Sequence, residues 1–152
     1  MSGSPTFQSI TRETLEEHRQ IHFYLDQISR TLDVMRDGLS DIEPMRRLAA
    51  QIEGLKERLI EHHRAEERGG LFQAILEILP DRRVEVSRLI NQHDKMIEIL
   101  EMARIHAQCG ETVEADALRI DLERFLEMFR QHEHAEDELL RCAIERENST
   151  LG

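Results

Sequence analysis

The sequence predicts an all-α protein, an up-down-up-down antiparallel four-helix bundle with a short N-terminal arm. Of its 152 residues, 34% are charged, only 4% are aromatic and none is Trp, a balance typical of long amphipathic helices. Apolar residues recur at steps of three and four along four long stretches. Connections between these stretches are short, which favours antiparallel neighbours in one bundle.

The boundaries of the four helices follow from turn and capping residues. Gly38 and Pro44 separate the first helix from the second, Pro80 separates the second from the third, and Gly110 ends the third. The chain therefore divides into an arm, residues 1–10, and a bundle, residues 11–148. The predicted helices span residues 11–37, 44–78, 82–108 and 112–147.

Charge and composition exclude several classes of partner. The formal net charge of −11 disfavours nucleic acid, whose phosphates require a basic surface, and an anionic membrane surface. No apolar run is long enough for a membrane span. The first residues lack a signal-peptide pattern, and Cys109 and Cys142 are far apart in sequence. We therefore expect reduced thiols and a cytoplasmic location.

Polar residues interrupt the apolar stripe of every predicted helix. In the second helix, the stripe passes from Leu55 and Leu59 to His62 and Glu66. With a rise of about 1.5 Å per residue, the interrupting residues of all four helices fall near one layer of the bundle. His63, Glu67 and His134 lie off the stripes. The candidate ligands on the stripes are His18, His22, His62, Glu66, His93, His132 and Glu136.

This buried polar layer predicts a metal centre. A single histidine on an apolar stripe is usually a core residue with a satisfied hydrogen bond, and a His–Glu pair four residues apart is usually exposed. Two buried carboxylates, however, cost several kcal/mol each unless a cation pairs with them. Burial also disfavours protonated histidine. A metal ion removes both difficulties, because it binds neutral imidazole and ionised carboxylate.

The ligand set favours two iron ions. No thiolate is present among the candidate ligands, which disfavours a structural zinc site. If both glutamates and an oxo or hydroxo group bridge two ions, five histidines bring the total to roughly eleven of twelve octahedral positions. One position then stays open for a small molecule. Manganese or mixed occupancy is the alternative.

The motifs around these residues resemble those of the hemerythrin-like HHE cation-binding family. The resemblance covers nearly the whole chain. It implies that the two glutamates bridge iron ions, and it implies the ligands His18, His62, Glu66, His93, His132 and Glu136; His22 is added from its position on the stripe. The matching segments are "LEEHRQIH", "EHHRAEERGGLF", "LINQHDKM" and "FRQHEHAEDELL".

Two departures separate the chain from the oxygen-carrying hemerythrins that it resembles. Those carriers have H-x-x-x-H on the third helix, whereas Ile97 follows His93 at that spacing here. They also have H-x-x-x-x-D on the last helix. Asp137 has that spacing, but Glu136 lies better on the stripe, as Glu66 does relative to Glu67. These departures weigh against reversible O2 transport.

The expected function is binding of, or response to, O2, NO, peroxide or iron at a bridged iron pair. One alternative is a di-iron enzyme that decomposes hydrogen peroxide or reduces NO, and the other is a structural bundle with a vestigial site. The sequence identifies no catalytic acid or base and no protein partner. Gly69 and Gly70 either make room beside the metals or break the second helix.

Overall fold

The computed structural model describes residues 6–35, 42–68, 70–109 and 112–151. These residues are almost entirely helical and include no strand, so the predicted all-α bundle is confirmed. The gap at residues 36–41 includes the predicted boundary residue Gly38, and Gly110 also lies outside the described residues. The helices are α1 (Phe7–Met35), α2 (Ile42–Arg68), α3 (Leu71–Ile78), α4 (Arg83–Cys109) and α5 (Thr112–Leu151), with a 3₁₀ turn at Pro80–Arg82.

Side-chain pairs show that the four long helices run antiparallel to their neighbours. Between α1 and α2, Glu17 contacts His62 and Thr31 contacts Gln51, so sequence positions rise on one helix and fall on the other. The same crossing order holds for the other two neighbouring pairs. It is given by Lys56–Glu101 and Glu67–His93 between α2 and α4, and by Gln92–His132 and His106–Asp121 between α4 and α5.

The predicted second helix, residues 44–78, is two helices, so its continuity was wrong. Gly70 has a φ of 108°, in the left-handed region that residues with a Cβ rarely adopt. A Cβ at Gly70 would meet only Ile10 Cδ1 at 3.9 Å, so backbone conformation and not space explains the glycine. The second prediction for this site, a helix break, is confirmed at Gly70; Gly69 lies outside the described residues.

The first helix begins at Phe7, earlier than the predicted start at residue 11. Phe7 and Ile10 pack against the apolar cluster formed by α3, the start of α4 and the end of α5. Part of the predicted arm is thus the first turn of α1, held by apolar contacts.

Two apolar clusters enclose the polar layer along the bundle. The larger one combines α1, α2, α4 and α5 and includes Leu55, Leu59 and Phe129. The smaller one contains α3 and includes Phe72 and Leu139. His62 and Glu66 follow Leu59 on α2, and His132 and Glu136 lie between Phe129 and Leu139 on α5, so these candidate ligands lie between the two clusters. No helix in the described part of the chain is long and apolar enough to cross a membrane.

The buried stripe of α1 differs from the stripe that the spacing of residues predicts, which is Leu15, His18, His22, Leu25, Ile28, Leu32 and Met35. Its buried residues are Thr14, His18, Ile21, Leu25, Ile28, Thr31 and Met35. Leu15 is 46% exposed and the His22 side chain is 48% exposed, so their predicted burial was wrong. Consecutive residues of a helix are rotated by about 100° about its axis. Because Ile21 faces the core, His22 faces away from it.

Candidate metal centre

Four helices contribute buried ligand-type side chains to one layer. α1 and α4 supply one each, α2 supplies three and α5 supplies two. Each is at most 6% exposed, although all are ionisable. The structure therefore brings six of the seven predicted residues together, and adds one that the sequence placed off the stripe. The residues of this layer, the polar layer below, are His18, His62, His63, Glu66, His93, His132 and Glu136.

Glu66 is contacted by imidazoles of two helices. His62, one turn before Glu66 on α2, places its Nε2 3.2 Å from Glu66 Oε1. His93 of α4 places its Nε2 3.4 Å from the same oxygen. The H-x-x-x-E spacing thus puts both groups on one face of α2, where α4 can reach them.

Glu136 has the corresponding arrangement on α5. His132 Nε2 lies 3.4 Å from Glu136 Oε2, and His18 Nε2 of α1 lies 3.1 Å from Glu136 Oε1. Each carboxylate is therefore flanked by one imidazole of its own helix and one of a neighbouring helix.

The ligand atoms fall into two groups that share Glu66. In each group, the ligand atoms all lie within 4.8 Å of one another. One group contains His18, His62, Glu66 and Glu136, and the other contains His63, Glu66 and His93. A carboxylate common to two groups is the arrangement that a bridging ligand requires.

Three of these histidines have their outer nitrogen in a hydrogen bond. The Nδ1 of His62 bonds to Glu17, that of His93 to Glu67 Oε2 at 3.1 Å, and that of His132 to Gln92 Oε1 at 2.7 Å. With the proton on Nδ1 donated outward, the lone pair of Nε2 faces the carboxylates. Metal-binding histidines use the same arrangement of outer hydrogen bonds.

Burial distinguishes the two members of each acidic pair, Glu66 from Glu67 and Glu136 from Asp137. Glu67 bonds to His93 from outside the polar layer, whereas Glu66 is 1% exposed and inside it. Asp137 is exposed and Glu136 is fully buried. The positions of Glu66 and Glu136 are thus those expected from the stripes.

Many atoms of the polar layer are buried without a hydrogen-bond partner. Among the described residues, these include both carboxylate oxygens of Glu66 and of Glu136 and the Nε2 atoms of His63, His93 and His132. Buried polar atoms are normally satisfied. A cation coordinated by these atoms would satisfy all of them, so the residues present fit a metal ion.

Burial perturbs the pKa values of the two carboxylates in opposite directions. Burial, followed by the charge of Glu136, raises the pKa of Glu66 well above its usual range. Burial also acts to raise the pKa of Glu136, but its close contacts with Glu66, His132 and His18 lower it well below its usual range. Glu66 therefore binds a proton more readily than Glu136 does, and a metal ion that binds Glu66 competes with that proton.

The histidine pKa values favour neutral imidazoles on the α4 side of the polar layer. Burial is the main cause that lowers the pKa of His63 to about 2 and that of His93 to about 4. For His18, burial also lowers the pKa, but Glu136 outweighs it and the pKa is raised. Neutral imidazole is the form that binds metals, so His63 and His93 need no deprotonation near neutral pH.

His63 is the layer residue that the sequence analysis missed. Its ring stacks on His93, with centroids 3.6 Å apart and an interplanar angle of 3°. A helix inside a bundle often buries a stripe wider than every third or fourth residue, so the doublet "HH" at 62–63 was the available signal. His134, the other histidine placed off the stripes, is exposed as expected.

His22 lies outside the polar layer. Its Nε2 bonds to Glu133 at 2.9 Å, and its ring packs edge-on against Phe129. Glu133 also approaches His18 Nδ1, at 3.8 Å. The structure thus places His22 on the surface, where Glu133 lies between it and His18 of the polar layer.

The chain also matches the model of a known protein family. The model of the hemerythrin HHE cation-binding domain matches residues 9–144. The chain belongs to the hemerythrin HHE cation-binding family. The match includes the whole polar layer, and the resemblance noted in the sequence is confirmed. No curated protein and no solved structure gives a significant match to the chain.

Proposed function

We propose that this hemerythrin HHE domain binds two iron ions, bridged by Glu66 and Glu136 and by an oxo or hydroxo group. We propose further that this pair binds or responds to O2, NO, peroxide or iron. The observation that carries the proposal is the convergence of unpartnered buried carboxylate oxygens and Nε2 atoms in one layer. Manganese or mixed occupancy is the alternative for the metal, and a cytoplasmic location stays a prediction.

The proposed ligands divide between the two ions. His18 and His62 belong to the first ion, because they share a group with both glutamates. His63 and His93 belong to the second ion, together with His132, whose ring lies 5.0 Å from that of His93. Both glutamates are common to the two ions.

His63 replaces His22 in the proposed set of five histidines. The third long helix has no second histidine at the H-x-x-x-H spacing, because Ile97 stands there and packs against the larger apolar cluster. His63 of α2, whose ring stacks on that of His93, supplies the fifth imidazole instead. Two histidines on one ion and three on the other leave the open position on the His18 and His62 side.

Residues around the polar layer orient its imidazoles and limit the access of water. Glu17, Glu67 and Gln92 fix the orientation of three imidazoles through their Nδ1 atoms. The two apolar clusters limit the access of water to the polar layer from either side along the bundle. A bridged iron pair would supply a site for a small ligand and electrons for its reduction.

Metal analysis with absorption spectroscopy tests this proposal. The purified protein, after growth in iron-rich medium, should hold two irons per chain and show charge-transfer bands of an oxo-bridged pair. Addition of peroxide should change these bands. Rapid gas evolution with recovery of the spectrum would favour the enzyme alternative, which no residue contact favours by itself. A chain without metal would contradict the proposal and leave the structural bundle.

A further inference from the structure

A surface cleft of about 590 Å³ between α2 and α4 reaches the polar layer. His63 and His93 both line it, and both belong to the second group of ligand atoms. Two further cavities among the described residues, one beside Tyr24 and one beside Phe7, are lined by none of the candidate ligands.

A metal ion needs a polar route into this bundle. A small neutral molecule can pass between apolar side chains during ordinary fluctuations, whereas a divalent cation loses its hydration there at a cost of several kcal/mol or more. Apolar clusters enclose the polar layer on both sides along the bundle axis. Entry from the side, between two helices, avoids both clusters.

The cleft carries groups suited to a cation. Carboxylates of Glu67, Asp94 and Glu98 line it, together with the guanidinium groups of Arg64 and Arg68. Oxygen ligands of this kind bind divalent ions and release them readily. The two arginines oppose a cation, so the charge of the cleft can be changed in either direction by substitution.

His63 links the cleft to the buried ligands. Although it lines the cleft, it is 5% exposed. Its Nε2 is buried without a hydrogen-bond partner and falls in the same group of ligand atoms as Glu66. An ion that leaves the carboxylates of the cleft therefore finds a neutral imidazole next.

We propose that the cleft between α2 and α4 is the route by which a divalent metal ion enters the polar layer, with Asp94 and Glu98 as the outer carboxylates and His63 as the first buried ligand. This inference rests on the proposed function, since it takes ferrous iron as the ion that enters.

Rates of metal loading test the route. Apo protein is mixed anaerobically with Fe²⁺, and unbound ion is sampled at short times with a fast chromogenic chelator. A unit charge about 7 Å from a divalent ion changes its encounter rate about threefold at moderate ionic strength. The double variant Asp94→Asn, Glu98→Gln should load about three- to tenfold more slowly than the unsubstituted protein, and Arg64→Gln should load about threefold faster.

A control removes one carboxylate charge far from the cleft. Glu43, exposed in the first turn of α2, lies roughly 28 Å from His62 at about 1.5 Å per residue. Glu43→Gln should load at the unsubstituted rate. All variants should reach the same final iron content and the same circular dichroism, because none removes a proposed ligand.

The possible results separate the route from the function. Opposite changes of rate in the carboxylate and arginine variants, with equal final content, support the route. Equal rates in all variants, or slower loading in both, would overturn it while leaving the iron site intact. Failure of the unsubstituted protein to bind Fe²⁺ would instead overturn the proposed function.

Discussion

The same four helices build two kinds of layer, and the two differ in what stabilises them. In the larger apolar cluster, side chains such as Leu55 and Leu59 are fully buried, and each contributes about 1.5–3 kcal/mol by leaving water. In the polar layer, Glu66 and Glu136 are just as buried. Their burial is unfavourable without a compensating charge.

One helix shows the change within two turns. Along α2, Leu55 and Leu59 are followed at the same spacing by His62 and Glu66, and the backbone continues as helix through all four. Helix geometry therefore does not distinguish the layers. The apolar layers hold the fold together, whereas the polar layer, under the proposed function, requires an ion to offset its buried charges.

The largest expected effect follows removal of the charge of Glu66, the proposed bridging ligand. Glu66→Gln preserves the shape of the side chain but removes a carboxylate that belongs to both groups of ligand atoms. The affinity for metal should therefore fall by at least about 100-fold. Chelation should lower the melting temperature of the unsubstituted protein, and should have no effect on the variant. Metal analysis and thermal unfolding measure both.

The apo forms provide the opposite comparison. Without metal, Glu66→Gln should be at least as stable as the unsubstituted protein, because a neutral amide replaces an acidic group buried beside Glu136. A variant that keeps its metal, or that is destabilised equally with and without metal, would place Glu66 among ordinary structural residues.

A cavity in the apolar layer should affect both forms equally. Leu55→Ala should lower the free energy of unfolding by about 2–5 kcal/mol, in the apo protein as well as in the metal-bound one. Its metal content should not change. Denaturant titrations of both forms measure this, and a loss confined to one form would contradict the separation between the layers.

Two histidines whose positions differ from the sequence prediction, His63 and His22, give a smaller contrast. His63→Ala should weaken binding of one ion by about 10- to 100-fold, because His63 lies in a group with Glu66 and His93. His22→Ala should leave the affinity of both ions unchanged, since His22 is at the surface. Competition with a chelator of known affinity measures both variants, with His134→Ala as the exposed control. Equal losses from all three variants would contradict the assignment.

The outer hydrogen bonds should have the smallest effect. Glu17→Ala removes the acceptor of His62 Nδ1 and should lower metal affinity by about tenfold. Glu17→Gln keeps an acceptor and should restore most of it. The same chelator competition tests this pair, and an equal loss in both variants would show that the charge of Glu17, and not its hydrogen bond, acts on the metal.

The sequence predicted the fold and most of the polar layer for a clear reason. In α2 and α5, apolar residues at regular spacing lead directly into an H-x-x-x-E pair, so the phase of the helix fixes which side of each pair faces inward. The predicted positions of His62, Glu66, His132 and Glu136 agree with the structure. His93 and His18 were located by the same argument.

The phase of α1 could not be fixed in this way. A stripe through Leu15 and His22 and one through Thr14 and Ile21 both contain apolar and polar residues, and only packing against the other helices decides between them. His63 was missed because a buried stripe in a bundle is wider than one residue per turn. Gly70 permitted either a continuous helix or a break, and the left-handed φ of 108° decides for the break.

A crystal structure with anomalous scattering measured on both sides of the iron absorption edge would test the central claim most directly. We expect two iron peaks between Glu66 and Glu136, one beside His18 and His62 and the other beside His63, His93 and His132. A protein that contains iron but shows a peak beside His22, or none within the polar layer, would contradict it.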